Sequence, residues 1–464
     1  MIQSIKYIIS TVIILATVVS SATAQKVMTL EACREQAVEF NRELKIAALQ
    51  NKEALANQEV ARTAYLPSLS GSLSLTHSPG FDGISIPGYF LPTADSEADA
   101  LNGNFSGTSN VWKPGTEIDM NSLSLLQTGL SVSQPIYAGG KIKYSNKQAD
   151  AGVEISDLAL NMKYSEVIEM TDQAFWNVAM VESNIEIAED YIKMLNELED
   201  QMTAMYEVGL QPASEKLRVS VQKNQAELGL LQARNGLRLA KMNLNQILGQ
   251  SLDTDIRINY DPGQDVKLFN TDDGITQAGS KRNELKILEK QKEISVLDAK
   301  ITRADYLPTV GLGAQYTNFW IKDLNEEVNF RTMLAAQVSI PIFQWGQGKK
   351  KQRAAEFRIQ QAQTDLQNTN ELINLEVMQV QVQVEEAYQS IVIAQKNIAE
   401  AEESLEETRA SFDVGLNTTT DLLNAQAQWR EAEAQLIQAV AKYKVLETSW
   451  ERVTGNLYIP AGEK

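Results

Sequence analysis

The sequence predicts a mixed α and β membrane protein built by internal duplication. Three observations carry this: one long unit occurs twice, each copy holds two alternating strands, and each holds helical runs of unusual length. Glu43-Leu44-Lys45-Ile46, Gln50, Arg62 and Tyr65-Leu66-Pro67 return 241 positions later as Glu284-Leu285-Lys286-Ile287, Gln291, Arg303 and Tyr306-Leu307-Pro308. Pro135-Ile136, Gly140, Val208-Gly209-Leu210, Leu217, Ala226-Glu227 and Gly249 return 206 positions later as Pro341-Ile342, Gly346, Val414-Gly415-Leu416, Leu423, Ala432-Glu433 and Gly455. The first copy therefore carries 35 extra residues between Pro67 and Pro135.

Taken in order, Lys6, the apolar stretch Tyr7 to Val19 and Ser21-Ala22-Thr23-Ala24 have the three regions of a secretory signal peptide, 1–24, which places the mature start at Gln25. The first repeat then spans 25–249, an inter-repeat linker 250–281, the second repeat 282–455 and a tail 456–464. Each repeat reads as helix, strand, loop, strand, long helix, turn, long helix. Leu69, Gly71, Leu73 and Leu75 alternate with Ser68, Ser70, Ser72 and Ser74, and Leu126, Leu130 and Val132 alternate with Gln127, Ser131 and Ser133. Val310, Leu312, Ala314 and Tyr316, then Leu334, Ala336, Val338 and Ile340, repeat the pattern in the second copy. About ten residues per strand suits a tilted crossing of a bilayer, with apolar side chains out and polar ones in.

Four such strands do not close a barrel, and an open sheet edge is not stable in lipid, so membrane insertion requires several subunits to pool them. Two soluble hairpins would show the same alternation. Tyr65, Tyr306, Tyr137 and Phe343 fall at one end of the hairpins, and Trp112, Phe319 and Trp320 at the other, as aromatic girdles would. The 35-residue excess falls in 78–120, which carries four prolines and reads as a long surface loop. Lys141 to Tyr206 contains 66 residues without proline. As one helix this run would reach about 100 Å. Ile391, Ile398, Leu405 and Phe412 stand seven apart with Ala387, Ala394 and Ala401 between them, the pattern of a coiled-coil seam. Val380-Gln381-Val382-Gln383-Val384 has period two, but no turn residues flank it and it is read as helix.

Charge and composition exclude several functions. A net charge of −18 opposes nucleic-acid binding. One cysteine, Cys33, and one histidine, His77, leave no disulfide and no cysteine–histidine zinc site. No nucleophile–base pair, phosphate loop or metal cluster is visible, so neither enzyme activity nor a cofactor is expected. A periplasmic coiled-coil scaffold that never enters lipid remains the reading of a different class.

The paired Tyr-Leu-Pro turns, the strand exits Gln134-Pro135-Ile136-Tyr137 and Ile340-Pro341-Ile342-Phe343, and the turns Tyr206–Leu210 and Phe412–Leu416 together resemble the TolC-like outer membrane efflux family over essentially the whole mature chain. The resemblance implies a homotrimer with a twelve-stranded transmembrane β-barrel, four strands per chain, continued by a long antiparallel α-helical coiled-coil barrel across the periplasm. It implies a passive outer membrane duct that exports small molecules from the periplasm or the pump to the exterior, docked to a periplasmic membrane-fusion adaptor and an inner-membrane pump of RND or ABC type. A type I protein or peptide secretion duct is the alternative within the family.

The resemblance also nominates residues. Gly209, Leu210, Gly415 and Leu416 become adaptor-contact tips. Asp421 and Glu215, each six residues beyond its glycine, become an acidic pore entrance, although Thr418 with Asp421 also fits a helix cap. Phe412, Asn417 and Asn424 stand where relatives carry a latching tyrosine, an arginine and sometimes an acid, which puts that latch in question here. Tyr65, Tyr306, Tyr137, Phe343 and Trp320, with Lys349, Lys350 and Lys351, are the candidate interface with outer membrane lipid; solvated surface is the alternative for the lysines.

Overall fold

The computed structural model describes residues 27–79, 84–118, 122–260, 266–321 and 326–457. In chain order the elements are β1 (Val27–Met28), α1 (Leu30–Phe40), α2 (Arg42–Thr63), β2 (Ser68–Pro79), β3 (Ile84–Ile86), β4 (Tyr89–Thr93), α3 (Glu97–Leu101), β5 (Gly107–Lys113), β6 (Thr116–Ile118), β7 (Ser122–Ala138), α4 (Lys141–Glu207), α5 (Ala213–Ile247), β8 (Arg257–Ile258), α6 (Gly274–Lys281), α7 (Asn283–Ala304), β9 (Thr309–Ile321), β10 (Glu326–Ser339), α8 (Gln347–Asp413) and α9 (Thr419–Val453). They form two compact units, one of residues 57–149 and 296–357 and one of residues up to 56, 150–295 and from 358 onward. Helices in matching places of the two copies have identical lengths: 22 residues for α2 and α7, 67 for α4 and α8, and 35 for α5 and α9. The segment read as a signal peptide and the tail beyond residue 457 lie outside the described residues.

In the first unit, β2, β7, β9 and β10 form one antiparallel sheet in the order β10-β9-β7-β2. The two hairpins pair in equivalent registers. Ser68 stands opposite Ser133 in the first and Thr309 opposite Ser339 in the second, positions that correspond in the two copies. Side chains across a pair share a face, so the alternation adds up over the sheet. Leu69 and Leu75 face Val132 and Leu126, which face Ala314 and Trp320, while Ala314 and Leu312 face Leu334 and Ala336. The reverse face carries Ser68, Ser70, Ser72 and Ser74, and Ser70 Oγ lies 2.7 Å from Ser131 Oγ across the pair.

The strands run to 12, 17, 13 and 14 residues, longer than the expected ten. The excursion at 78–120 is not a bare loop: β3 pairs with β6, β4 pairs with β5, and α3 lies between the inner two strands. Its Trp112 meets Phe90 edge-on at 4.8 Å. The β4–β5 register sets these two residues opposite each other, and both rings stay about half exposed.

In the second unit, three apolar clusters tie the helices. Met28, Cys33, Phe175, Trp176, Leu244 and Leu248 join α1, α4 and α5. Ala278, Leu285, Val377, Val380, Val384, Tyr443 and Trp450 join α6, α7, α8 and α9. Tyr191, Leu195, Met202, Val219, Phe412 and Leu423 form the third. The two copies close alike. Asn41 Nδ2 donates to the Ile247 carbonyl at 2.8 Å, and the corresponding Arg282 Nη1 donates to the Val453 carbonyl at 3.2 Å. Gly249 and Gly455 both adopt positive φ, at 70° and 74°, and a Cβ on either would collide with the end of α1 or α6, 2.4 Å from the Phe40 oxygen or 2.8 Å from the Lys281 Cβ. Residues 274–281, expected as linker, thus form a helix that occupies in the second copy the place of α1.

Candidate functional site

The turns that join the long helices are built identically. At α4–α5, Gly209 (φ 78°) donates to the Tyr206 carbonyl at 3.0 Å and Leu210 to the Met205 carbonyl at 2.8 Å. At α8–α9, Gly415 (φ 79°) donates to the Phe412 carbonyl at 2.9 Å and Leu416 to the Ser411 carbonyl at 2.8 Å. This is the Schellman stop, which satisfies the last carbonyls and needs a left-handed residue, hence glycine. It leaves Val208, Leu210, Val414 and Leu416 between 71 and 79% exposed. Four large apolar side chains in water at two turns are unpartnered in the isolated chain.

Beneath them the helices are held by side chains the sequence did not single out. Glu199 on α4 accepts from Lys223 Nζ at 2.8 Å and Ser220 Oγ at 2.5 Å on α5, and these bonds hold its carboxyl below the usual carboxylate range. Gln222 Nε2 donates to the Tyr191 hydroxyl at 3.0 Å, and the Arg430 guanidinium lies 5.2 Å from that ring centre. Phe412 is buried in the apolar cluster with Tyr191 and Met202, so its ring packs between helices.

Asp421 opens α9 in a complete capping box. Its Oδ2 accepts from the Thr418 hydroxyl at 2.6 Å and the Thr418 amide at 2.9 Å, and its own amide donates to Thr418 Oγ1 at 3.2 Å. Those bonds from Thr418 keep the carboxyl below its ordinary range, so it is charged at neutral pH while remaining exposed. Asn424 is exposed three residues on, a spacing that shares its helix face. Asn417 is half-buried and donates its amide to the Ser411 carbonyl at 3.4 Å. Glu215, in the first turn of α5, lies 3.5 Å from Arg218 Nε, a partner the sequence reading missed although it sits three residues away. The two equivalent acids are therefore unequal: one is capped, the other is paired with a cation.

On the sheet unit, Tyr65, Tyr137 and Phe343 are exposed at the ends of β2, β7 and β10. Tyr306 is packed under the first turn of α8, where Lys351 Nζ lies 5.8 Å from its ring centre. Trp320 lies on the apolar face across from Leu126. Lys349, Lys350 and Lys351 are exposed. Trp345, passed over in the sequence, is 85% exposed at φ 51° and meets Phe343 at 5.0 Å. Comparing the copies would have found it, because the first copy has Gly139 there. Among the described residues, no helix is long and apolar enough to cross a membrane and no cluster of metal ligands occurs.

The sequence profile of outer membrane efflux proteins matches residues 33–250 and 275–456. Over 450 residues, 91% of this chain and 81% of the other, the protein is 22% identical to the outer membrane protein TolC of Escherichia coli. It is 23% identical over 342 residues to the alkaline protease secretion protein AprF of Pseudomonas aeruginosa, covering 70% of this chain and 68% of that one. The fold is similar to the CmeC outer membrane channel of Campylobacter jejuni at a TM-score of 0.73 and 16% identity, over 94% of this chain and 87% of that one. A profile match over most of the chain, on a fold shared with outer membrane channels, places this protein in the outer membrane efflux protein family.

Proposed function

We propose that this outer membrane efflux channel works as a passive trimeric duct, each chain lending four strands to a twelve-stranded barrel with the helices reaching into the periplasm. The observation that carries it is the sheet. Leu69, Leu73, Leu75 and Leu334 on one face are 72 to 81% exposed, while the other face is lined with serines. Leaving a leucine in water instead of burying it costs roughly 1.5–3 kcal/mol, and lipid removes that cost only if water remains on the serine side. Both outer strands, β2 and β10, lack a neighbour on one side among the described residues, which lipid does not tolerate and further copies supply.

The exposed Val-Gly-Leu turns then dock to a periplasmic membrane-fusion adaptor, which links the duct to an inner-membrane pump of RND or ABC type. Asp421 and Asn424 line the entrance, with Glu215 contributing less because Arg218 offsets it. The aromatic residues at the strand ends and lysines of the run Lys349–Lys351 meet the inner-leaflet headgroups.

Single-channel conductance in planar bilayers under a cation gradient tests this, comparing the wild type with Asp421→Ala. Discrete steps whose cation preference falls in the variant are expected. A detergent-free soluble protein that gives no steps would instead identify a coiled-coil scaffold. The likeness to a protease secretion protein supports a second cargo for the same duct, an exported protein; protease retained inside cells that lack this chain is the test.

A further inference from the structure

The second repeat ends its hairpin on a tryptophan where the first ends on a glycine. At the join between repeats, Gly139 takes φ 63° beneath the end of α7, and a Cβ there would stand 2.7 Å from the Ala304 oxygen and 3.0 Å from the Leu307 Cβ. Ala304 is correspondingly buried, 1% exposed, and Leu307 half-buried. By the repeat offsets, Gly139 corresponds to Trp345, and Ala304 and Leu307 to Thr63 and Leu66. Both counterparts have lost their cover. Trp345 is 85% exposed and Leu66 62% exposed, and Thr63 is exposed as well. A tryptophan held at φ 51°, where its repeat uses glycine, is an unfavourable local state, and its edge-on contact with Phe343 still leaves it 85% exposed.

We propose that Trp345 packs on the Thr63–Leu66 turn of a second copy of this chain, with β10 pairing to that copy's β2 so that Val338 stands opposite Leu73 and Lys350 opposite Glu59. The join inside the chain is the template. There β7 pairs with β9, with Val132 opposite Ala314, and the same offsets turn this pair into Val338 and Leu73. That register keeps the apolar face continuous from one copy to the next, since Val338 and Leu73 both lie on it. Electrostatics agree. Inside the chain, Lys300 Nζ lies 5.6 Å from the Tyr144 ring centre. The corresponding residues are Glu59 and Lys350, both exposed, so a cation–π contact within the chain becomes an ion pair between copies. Of the three lysines from Lys349 to Lys351, Lys350 therefore turns to the neighbour. The seam between copies must therefore be wider at Trp345 than the join inside the chain, where a Cβ on Gly139 would collide with Ala304.

The proposal rests on the multi-subunit barrel, and its test separates the two. The full chain in detergent carries Val338→Cys with Leu73→Cys, each single variant and the two-residue shift Val338→Cys with Leu75→Cys serving as controls. Native mass spectrometry reports the assembly independently. Mild oxidation is expected to give covalent dimers and trimers in the first pair only. Lys350→Glu and Trp345→Gly are expected to lower the temperature at which the assembly dissociates in SDS, and adding Glu59→Lys to Lys350→Glu to restore it. A trimeric mass with linkage in the shifted pair, or without linkage and without charge-reversal rescue, overturns this interface and leaves the barrel standing. A monomeric mass for the wild type overturns both.

Discussion

A Cβ placed on Gly274 would stand 2.4 Å from the Trp450 ring and 2.9 Å from Val377 Cγ1, so glycine and tryptophan fill one site together. In the other copy the same two positions hold Cys33 and Leu244, both fully buried. The pairs are two solutions to one packing volume: a larger residue on the short helix with a smaller one on the long helix, or the reverse. Interiors are packed too densely for one member to change alone. Gly274→Ala is therefore expected to lose about 1–3 kcal/mol by overpacking. Trp450→Leu leaves a void, and the double variant should lose less than the sum of the two. Denaturant midpoints of the three variants check this, and strict additivity would disprove the coupling.

Two carboxylates should move stability with pH in opposite senses. Burial pushes the Glu376 carboxyl up, but the hydrogen bond from Arg452 and the charges of Arg282 and Arg452 outweigh it and leave it lowered. Arg282 Nη1 lies 2.9 Å and Arg452 Nη2 2.8 Å from its oxygens. A lowered carboxyl contributes stability that is present above its ordinary range near 4.5 and is lost as pH falls through the folded value. Glu433 is raised, by burial first and then by Asp190 and Glu402. Its ionised form is disfavoured in the fold, so it subtracts stability above that range. Glu376→Gln should thus lower the melting temperature at pH 7, with the loss shrinking as pH falls through the folded value. Glu433→Gln should raise it at pH 7, with the gain fading as pH falls through the raised folded value towards 4.5. Melting curves across that window decide both.

The sheet and the turns were legible because local chemistry dictates them. A period of two, closed by proline at Pro67 and Pro308, leaves little but a strand, whereas the hairpin register had to come from the structure. The valine run looked ambiguous at period two, yet Val377, Val380 and Val384 also stand at helical spacing, and these are the members that are buried. For Phe412 two signals pointed to different roles. Its heptad partners implied packing and the family correspondence implied the entrance; the ring lies in the apolar cluster. What stayed hidden needs distance. Gly274 and Trp450 meet across 176 positions of sequence, and nothing local in the stretch 78–120 announces that Phe90 meets Trp112.

Thr418 and Asp421 allow cap and charge to be separated. Thr418→Ala removes the hydroxyl bonds that close the capping box and leaves the carboxylate, so it should cost about 1 kcal/mol of helix-end stability. Cation preference in bilayers should persist. Asp421→Ala removes both, so preference should fall with stability. If the two variants lose preference equally, the cap geometry and not the charge governs the entrance.

The helix tips should be dispensable for the fold and necessary for the work. Leu416 is 79% and Leu210 74% exposed, and neither side chain is needed for the backbone hydrogen bonds that close its turn. Replacing either with glutamate disturbs no buried contact, so stability should stay within about 0.5 kcal/mol. If an adaptor seats on these apolar tips, a desolvated carboxylate at the contact would oppose docking strongly. Leu210→Glu with Leu416→Glu should therefore keep the conductance and the melting temperature of the wild type while cells become sensitive to the exported compounds. Full resistance in cells expressing the double variant would remove these tips from the docking surface, whereas sensitivity with altered conductance would mean that the substitutions act on the duct itself.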